Sequence, residues 1–403
     1  MALGLLIGLL GCMFLASANF RAPRTPDDPL PGGDYVVFHV AGRVILAGAS
    51  HRLYDFTFIR QFQHDPSVIA YAWNVDAFVH YVYPPFFAWF CVPFACLPFS
   101  AGAVAWTLAM TGCLLIALAV LLRASPGGLA YFGWALLACL AYRPLLTSIY
   151  SGQNGTLSLL ILTLVYVNLR AGRPGCAGLI FAGLAFKPHL TILIAVAMFC
   201  SRQWRFLAGA IAGGILLFAA SLAVSPTATF DYVRLAPTMS RFIDMPGMPL
   251  ERMTCWYGLW RLLLAGQPLH HAQIATVIAS AVTLVVLVRV MGGSLNPSSK
   301  RFAGQYAALV LATTAVSPHL LDYDLTLLLL PIYLLATGDG QHALDPSALR
   351  PRLWALVLFV VASFSPAVAG LTGFQIIVPV VFVTLLAMAR NFGRESSLQP
   401  ARA

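Results

Sequence analysis

Acidic side chains are scarce in this chain, and one long region excludes them altogether. Only 14 of the 403 residues are Asp or Glu, and the stretch from Ala77 to Phe230 contains neither. Charge of either sign is rare: 9% of the residues are charged and 60% are hydrophobic, whereas a soluble domain carries about 25% charged residues. That composition excludes a water-soluble fold. Lysine is nearly missing as well, since every basic residue except Lys187 and Lys300 is Arg. The net charge of +10 therefore comes mainly from Arg at the ends of apolar runs, where positive charge sets membrane topology. No basic stripe interleaved with aromatic residues is present, which argues against a nucleic-acid partner. The eight cysteines lie mostly inside apolar runs without CxxC or His-rich spacing. They read as small packing residues, with neither a zinc site nor a disulfide framework.

What remains is a succession of apolar segments with a mean hydropathy of +0.82. A bilayer crossing needs roughly 20 apolar residues, so the chain is expected to be an all-α polytopic membrane protein of about 10–12 hydrophobic helices. Residues 1–403 read as a single membrane domain in contact with the lipid bilayer. Met1 to Ala18 reads as a retained first span, because it lacks the positive n-region of a signal peptide. Arg390, Arg394 and Arg402 place the tail in the cytoplasm. Counting back through segments 372–389, 353–370, Leu320–Ala336 and Phe302–Val316 puts Ser317-Pro318-His319 near the external face. Two polar stretches then fall outside, residues 20–80 and residues 225–270. The first holds six of the 14 acidic residues.

Helix-breaking residues recur within the apolar runs. Arg170 and Arg173 precede the run 176–200, and Arg202 and Arg205 follow it. With both ends cytoplasmic, that run is not one span, and Phe186-Lys187-Pro188-His189 marks its break. Tyr83-Pro84-Pro85, Arg143-Pro144 and Ser151-Gly152-Gln153-Asn154-Gly155 are similar interruptions. Non-helical backbone at membrane depth is tolerated where it is buried in protein or lines a wet cavity, and broken helices commonly surround a binding site.

Several residues stand out against this background. Lys187 lies in an apolar run, where a cation costs about 2.5–3.5 kcal/mol on insertion scales; it needs an anionic partner, and no carboxylate is near in sequence. A ligand phosphate suits it; snorkelling or a distant Asp is the alternative. His189 and His319 are candidate phosphate donors, although membrane histidines also satisfy backbone carbonyls. Gln153 and Asn154 offer both donors and acceptors to sugar hydroxyls, or form only a Gly-rich turn. Asp322 and Asp324 are two residues apart, which on a helix places them on different faces. One is expected at a cavity while the other caps the helix or pairs with an Arg. Asp27 and Asp28 read as a solvated turn, and Asp55 as a helix cap. Asp34 opens an amphipathic segment expected on the membrane surface, where its carboxylate would meet a lipid-borne donor; a helix N-cap is the competing role.

In order along the chain, five blocks together resemble glycosyltransferase family 87. They are Asp34-Tyr-Val-Val-Phe-His-Val-Ala-Gly-Arg with Leu53-Tyr-Asp-Phe; Tyr83-Pro-Pro-Phe-Phe with Leu97-Pro98; Gly152-Gln-Asn-Gly; Ala182-Gly-Leu-Ala-Phe-Lys-Pro-His; and Ser317-Pro-His-Leu-Leu-Asp-Tyr-Asp-Leu. That family belongs to the membrane-embedded GT-C enzymes, which use polyprenyl-phosphate sugars. The resemblance implies a multi-span fold, an extracytoplasmic active site and a plasma (inner) membrane location. It implies Asp34 as catalytic base and mannose as the sugar, transferred without a required metal or other cofactor. The partners it implies are a polyprenyl-phosphate sugar donor and a glycan or glycolipid acceptor. The second external loop departs from the family's mannosyltransferases.

An inverting transfer follows as the expected mechanism. Asp34 deprotonates the acceptor, while Lys187, His319 and Arg252 receive the phosphate leaving group. Gln153, Asn154, Tyr83, His189, Asp322 and Asp324 are the expected sugar or acceptor contacts, and Trp256 or Tyr257 is expected to stack on a sugar ring. A transporter or flippase of lipid-linked saccharides is the main rival, although its usual inverted repeats are not evident. An inactive scaffold subunit is a weaker one.

Overall fold

A backbone in hydrocarbon must satisfy its N–H and C=O groups internally, which restricts an open chain to helices. The computed structural model describes residues 32–69, 78–124, 128–238, 244, 248–292, 295–337 and 349–397. Among these the secondary structure is helical, with one isolated bridge between Met253 and Leu321 in place of any sheet. Met1 to Ala18, Asp27 and Asp28 lie outside the described residues.

Four described helices are long and apolar enough to cross a bilayer: Phe99–Arg123, Trp204–Val224, Leu269–Met291 and Pro351–Thr372. A fifth crossing is broken, with Gly128–Leu140 and Arg143–Tyr150 meeting at 74°. This is the expected interruption at Arg143-Pro144: Tyr142 is extended, with ψ 102°, and Pro144 sits in the first turn of the second helix, where its missing N–H costs nothing. Seven shorter apolar helices accompany them, as expected for a polytopic all-α membrane protein.

The remaining expected breaks are also present. Pro84 caps the helix Pro85–Ala95. The run 176–200 divides into Pro174–Ala182, a 3-10 turn over Gly183–Phe186, a second over Pro188–Leu190, and Ile192–Cys200. Lys187 is the non-helical residue between the two turns, with φ −122° and ψ 76°. The segment after Ser317 departs from a simple span: Asp322–Leu328 is a 3-10 helix, and only Leu329–Thr337 is α-helical.

The segment after Asp34 also differs from expectation. Tyr35–Leu46 does not lie on a surface; nine of its 12 residues are buried. Phe38 stacks on Trp106 with centroids 4.7 Å apart and meets Phe87 edge-on at 5.7 Å. His39, which made the stretch look amphipathic, is 1% exposed. Its ring accepts or donates locally, between the Tyr35 hydroxyl (3.3 Å) and the Val68 carbonyl (3.2 Å). Asp55 does cap its helix, Oδ1 accepting from the Phe58 amide at 3.1 Å.

The helix before Lys187, Pro174–Ala182, meets Trp204–Val224 by close backbone approach. A Cβ on Gly178 would collide with the Phe206 carbonyl oxygen, and one on Gly209 with that of Gly175. Small residues allow such contact where lipid supplies no hydrophobic drive between helices. Gly178→Val is therefore expected to cost at least about 1–3 kcal/mol from overpacking. Gly214→Val, where a Cβ meets nothing within 4 Å, serves as the control. Thermal unfolding of the detergent-solubilised protein compares the two; equal stabilities would remove close approach as the cause.

Candidate active site

The Asp34 carboxylate is held by a turn more than 100 residues away. Its backbone amide donates to the Ser151 carbonyl at 2.9 Å. The two segments touch through glycine: Gly33 and Gly152 have φ of +55° and +64°, a left-handed geometry that other residues rarely adopt. A Cβ on Gly152 would strike the Gly32 carbonyl oxygen, and Trp106 Nε1 donates to the Gly152 carbonyl at 2.8 Å. Asp34 occupies the N-cap position of Tyr35–Leu46, but its side chain makes no capping bond. Its Oδ2 instead accepts from Gln153 Nε2 at 2.6 Å, leaving Oδ1 without a hydrogen bond among the described residues. Burial raises the Asp34 carboxyl above its ordinary range, a shift opposed by the Gln153 hydrogen bond and by the charges of Arg252 and Lys187.

Opposite Asp34 stand two ion pairs built on one 3-10 helix. Asp324 accepts from Lys187 Nζ at 2.5 Å, with both side chains at most 5% exposed. Asp322 accepts from Arg252 Nε and Nη2 at 2.9–3.2 Å, and this pair is more open, the Arg252 side chain being 36% exposed. Separation by two residues does send the carboxylates to different partners. Lys187 is therefore not the unpaired cation expected from its isolation in sequence. The broken helix brings it to a carboxylate 137 residues later, and its Nζ also lies 5.5 Å from the Tyr323 ring centroid. Arg252, expected as a phosphate ligand, is likewise already bonded, though Nη1 makes no bond to a described residue.

The remaining candidates differ in how free they are. His189 and His319 meet edge-on, 6.4 Å between centroids, and both sense the charges of Lys187 and Asp324. His189 Nε2 and His319 Nδ1 are buried with no hydrogen-bond partner. Burial pulls the His319 ring below its usual range, against the attraction of Asp324. Gln153 Oε1 is also buried and unbonded, and the buried Asn154 amide has only the Tyr83 phenol beside it. Tyr83 stacks on Phe87 at 5.1 Å, and its phenol lies within the electrostatic reach of Asp34 and Asp324. Leaving buried polar atoms unpaired costs about 1–3 kcal/mol each. Those of Gln153 and Asn154 adjoin the Asp34 turn, and those of His189 and His319 adjoin the Lys187–Asp324 pair.

Two expected stacking residues are used otherwise. Trp256 donates to Thr283 Oγ1 at 2.9 Å and stacks on Trp260, while Tyr257 donates to Asp244, which Arg261 also binds. Tyr323 was absent from the sequence candidates; its position between two aspartates was the available signal. Among the described residues no three His, Cys, Asp or Glu side chains are grouped to hold a metal ion.

Breaking a buried pair strands a charge, at about 3–5 kcal/mol, whereas replacing both partners with apolar groups is often neutral. Lys187→Met and Asp324→Leu are each expected to lose that much stability, and the double variant much less. Thermal melts of all four proteins in detergent test this; a double variant as unstable as the worse single one contradicts it.

No curated protein and no solved structure matches the chain. The model of glycosyltransferase family 87 matches residues 81–318, more than half of its length. That stretch takes in Tyr83, Gln153, Asn154, Lys187, His189 and Arg252; Asp34, His319, Asp322 and Asp324 lie beyond it and join the site through the fold. With the match running from the first broken helix to the edge of the aspartate-bearing segment, the chain belongs to glycosyltransferase family 87.

Proposed function

We propose that this glycosyltransferase moves a hexose, with mannose the expected sugar, from a polyprenyl-phosphate donor to a glycan or glycolipid acceptor, with Asp34 as general base. The observation that carries the reading is the Asp34 carboxylate itself. One oxygen is held by Gln153, the other is free, and two cations and several unbonded polar atoms face it.

In the proposed step Asp34 Oδ1 takes the proton of the acceptor hydroxyl, and that oxygen attacks the anomeric carbon. The bond from the anomeric carbon to the phosphate oxygen breaks, and its electron pair leaves with the polyprenyl phosphate. Attack opposite the leaving group inverts the anomeric configuration. A positioned base contributes about 10²–10⁴-fold. The raised affinity of Asp34 for a proton suits this task, because a carboxylate in its ordinary range is a weak acceptor at neutral pH. The negative charge that develops on the phosphate needs electrostatic stabilisation. Arg252 is the accessible cation for it, through Nη1, while Lys187 acts from behind through its pair with Asp324. His319 and His189 supply ring nitrogens to the phosphate or sugar. Gln153 Oε1, Asn154 and Tyr83 are placed for hydroxyl groups, and Asp322 and Asp324 act mainly by holding the cations.

The charge distribution supports an extracytoplasmic site in the plasma membrane. Helices leading away from the site end in short connections bearing Arg170, Arg173, Arg202, Arg205, Lys300 and Arg301. There Arg170 donates to the Pro297 carbonyl and Gln203 to that of Leu295. Basic short loops mark the cytoplasmic side.

Asp34→Asn is expected to lower transfer from labelled polyprenyl-phosphate mannose by at least about 10²-fold; substantial retained transfer removes Asp34 as base. The pH profile gives a second measure. Asp34 acts only when ionised and its pKa lies above 3.8, so activity falls as pH drops through that raised value. Gln153→Leu removes a bond that favours the ionised form. Loss of a charge-assisted bond of about 1.5–3 kcal/mol should move the acid limb up by roughly 1–2 pH units. An unmoved limb would assign the titration to another group.

A further inference from the structure

We propose that Gln375, in the turn between the last two helices, is a positioning residue for Arg252; this rests on the phosphate-binding role of Arg252 given above. Gln375 is fully buried and lies outside the matched family segment. Its Nε2 donates to the carbonyls of Glu251 at 2.9 Å and Met253 at 3.2 Å, the residues on either side of Arg252. Its Oε1 accepts from the Ser365 hydroxyl, and Ser365 Oγ in turn accepts from the Ile377 amide at 3.0 Å. Both amide hydrogens are thus directed at one short segment, and the amide orientation is set by a second side chain. An apolar residue at 375 would leave the half-buried Glu251 carbonyl and the buried Met253 carbonyl without these donors.

The opposite side of that segment is also held. Met253 forms the isolated bridge with Leu321, and the Thr254 amide donates to the Leu320 carbonyl at 2.7 Å. Leu250–Arg252 is a single 3-10 turn, too short to fix its own direction. It is clamped between the final helical hairpin and the strand-like residues that precede Asp322. The Arg252 guanidinium accordingly reaches Asp322 through Nε and Nη2, with Nη1 making no bond to a described residue. Gln375 touches no reacting atom; its effect is to fix where that guanidinium stands.

The test is a double-mutant cycle on the full-length protein in nanodiscs, with a short-chain prenyl-phosphate mannose as donor. Gln375→Ala is expected to raise the donor KM by about 10-fold while kcat changes less. In an Arg252→Ala background it should add no further increase, because residues acting through one group are non-additive. Hydrogen exchange of the 250–254 amides is expected to quicken, with exchange in the Asp34 segment unchanged. An unaltered KM, additive effects with Arg252→Ala, or unchanged exchange at 250–254 would each overturn the proposal. If Gln375→Ala fails to accumulate, Ser365→Ala removes the hydroxyl that orients the amide and is read by the same cycle. If the wild-type protein neither binds nor uses the donor, the phosphate reading fails by itself. The exchange comparison then still decides whether Gln375 holds the Arg252 segment.

Discussion

The buried contact between Lys187 and Asp324 is the constraint on which the site depends. Neither charge tolerates the membrane interior alone, since desolvating a single ion costs several kcal/mol even after relaxation. Lys187 stands where a helical run has been interrupted, and Asp324 stands in a 3-10 helix that replaces the start of an expected span. Each irregular segment therefore supplies the charge that makes the other admissible. The pairing brings the broken 174–200 run against the Asp322–Leu328 turn, and with it His189 against His319.

A second consequence is electrostatic. Each cation facing Asp34 already has a carboxylate partner, so the site contains two closed pairs and one additional carboxylate. A free cation pocket would bind any anion tightly in its ground state. A paired one yields its field mainly where a guanidinium hydrogen remains open or where charge develops close by. On the proposed function, the open guanidinium hydrogen of Arg252 contributes both to holding the donor phosphate and to stabilising the charge that it gains on leaving. The Arg252–Asp322 pair is the more exposed of the two, which is why the proposed phosphate contact is assigned to Arg252.

The glycine contacts explain how the Asp34 carboxylate, the proposed base, is held against a turn far along the chain. Gly152 and Gly33 let two backbones meet, and Gln153 then reaches the carboxylate directly. This also revises the role of Gln153: one of its amide hydrogens is committed to Asp34, which leaves Oε1 and the second hydrogen for the proposed sugar contact. Asp55 and Asp65, from the same acidic stretch, have local work instead. Asp55 caps a helix and pairs with Arg52, while Asp65 accepts from the Ser67 amide.

The residue pattern by itself determined the class of molecule and the places where its helices break. Hydropathy and the missing carboxylates require a membrane solvent, and Pro84, Pro144, Pro188 and Gly152 mark interruptions that need no tertiary information, because they act through local backbone sterics. The pattern also singled out Asp34 and Lys187 as charges needing a reason. The reason itself lies in the folded contacts. The link between Lys187 and Asp324 spans 137 residues and that between Gln153 and Asp34 spans 119; no periodicity encodes contacts at such separations. Burial of Tyr35–Leu46 is illegible in sequence for a related reason: the polar atoms of Tyr35 and His39 are satisfied inside the core, by each other and by the Val68 carbonyl. Sequence states which groups cannot be left alone in lipid, and the fold alone states which of them meet.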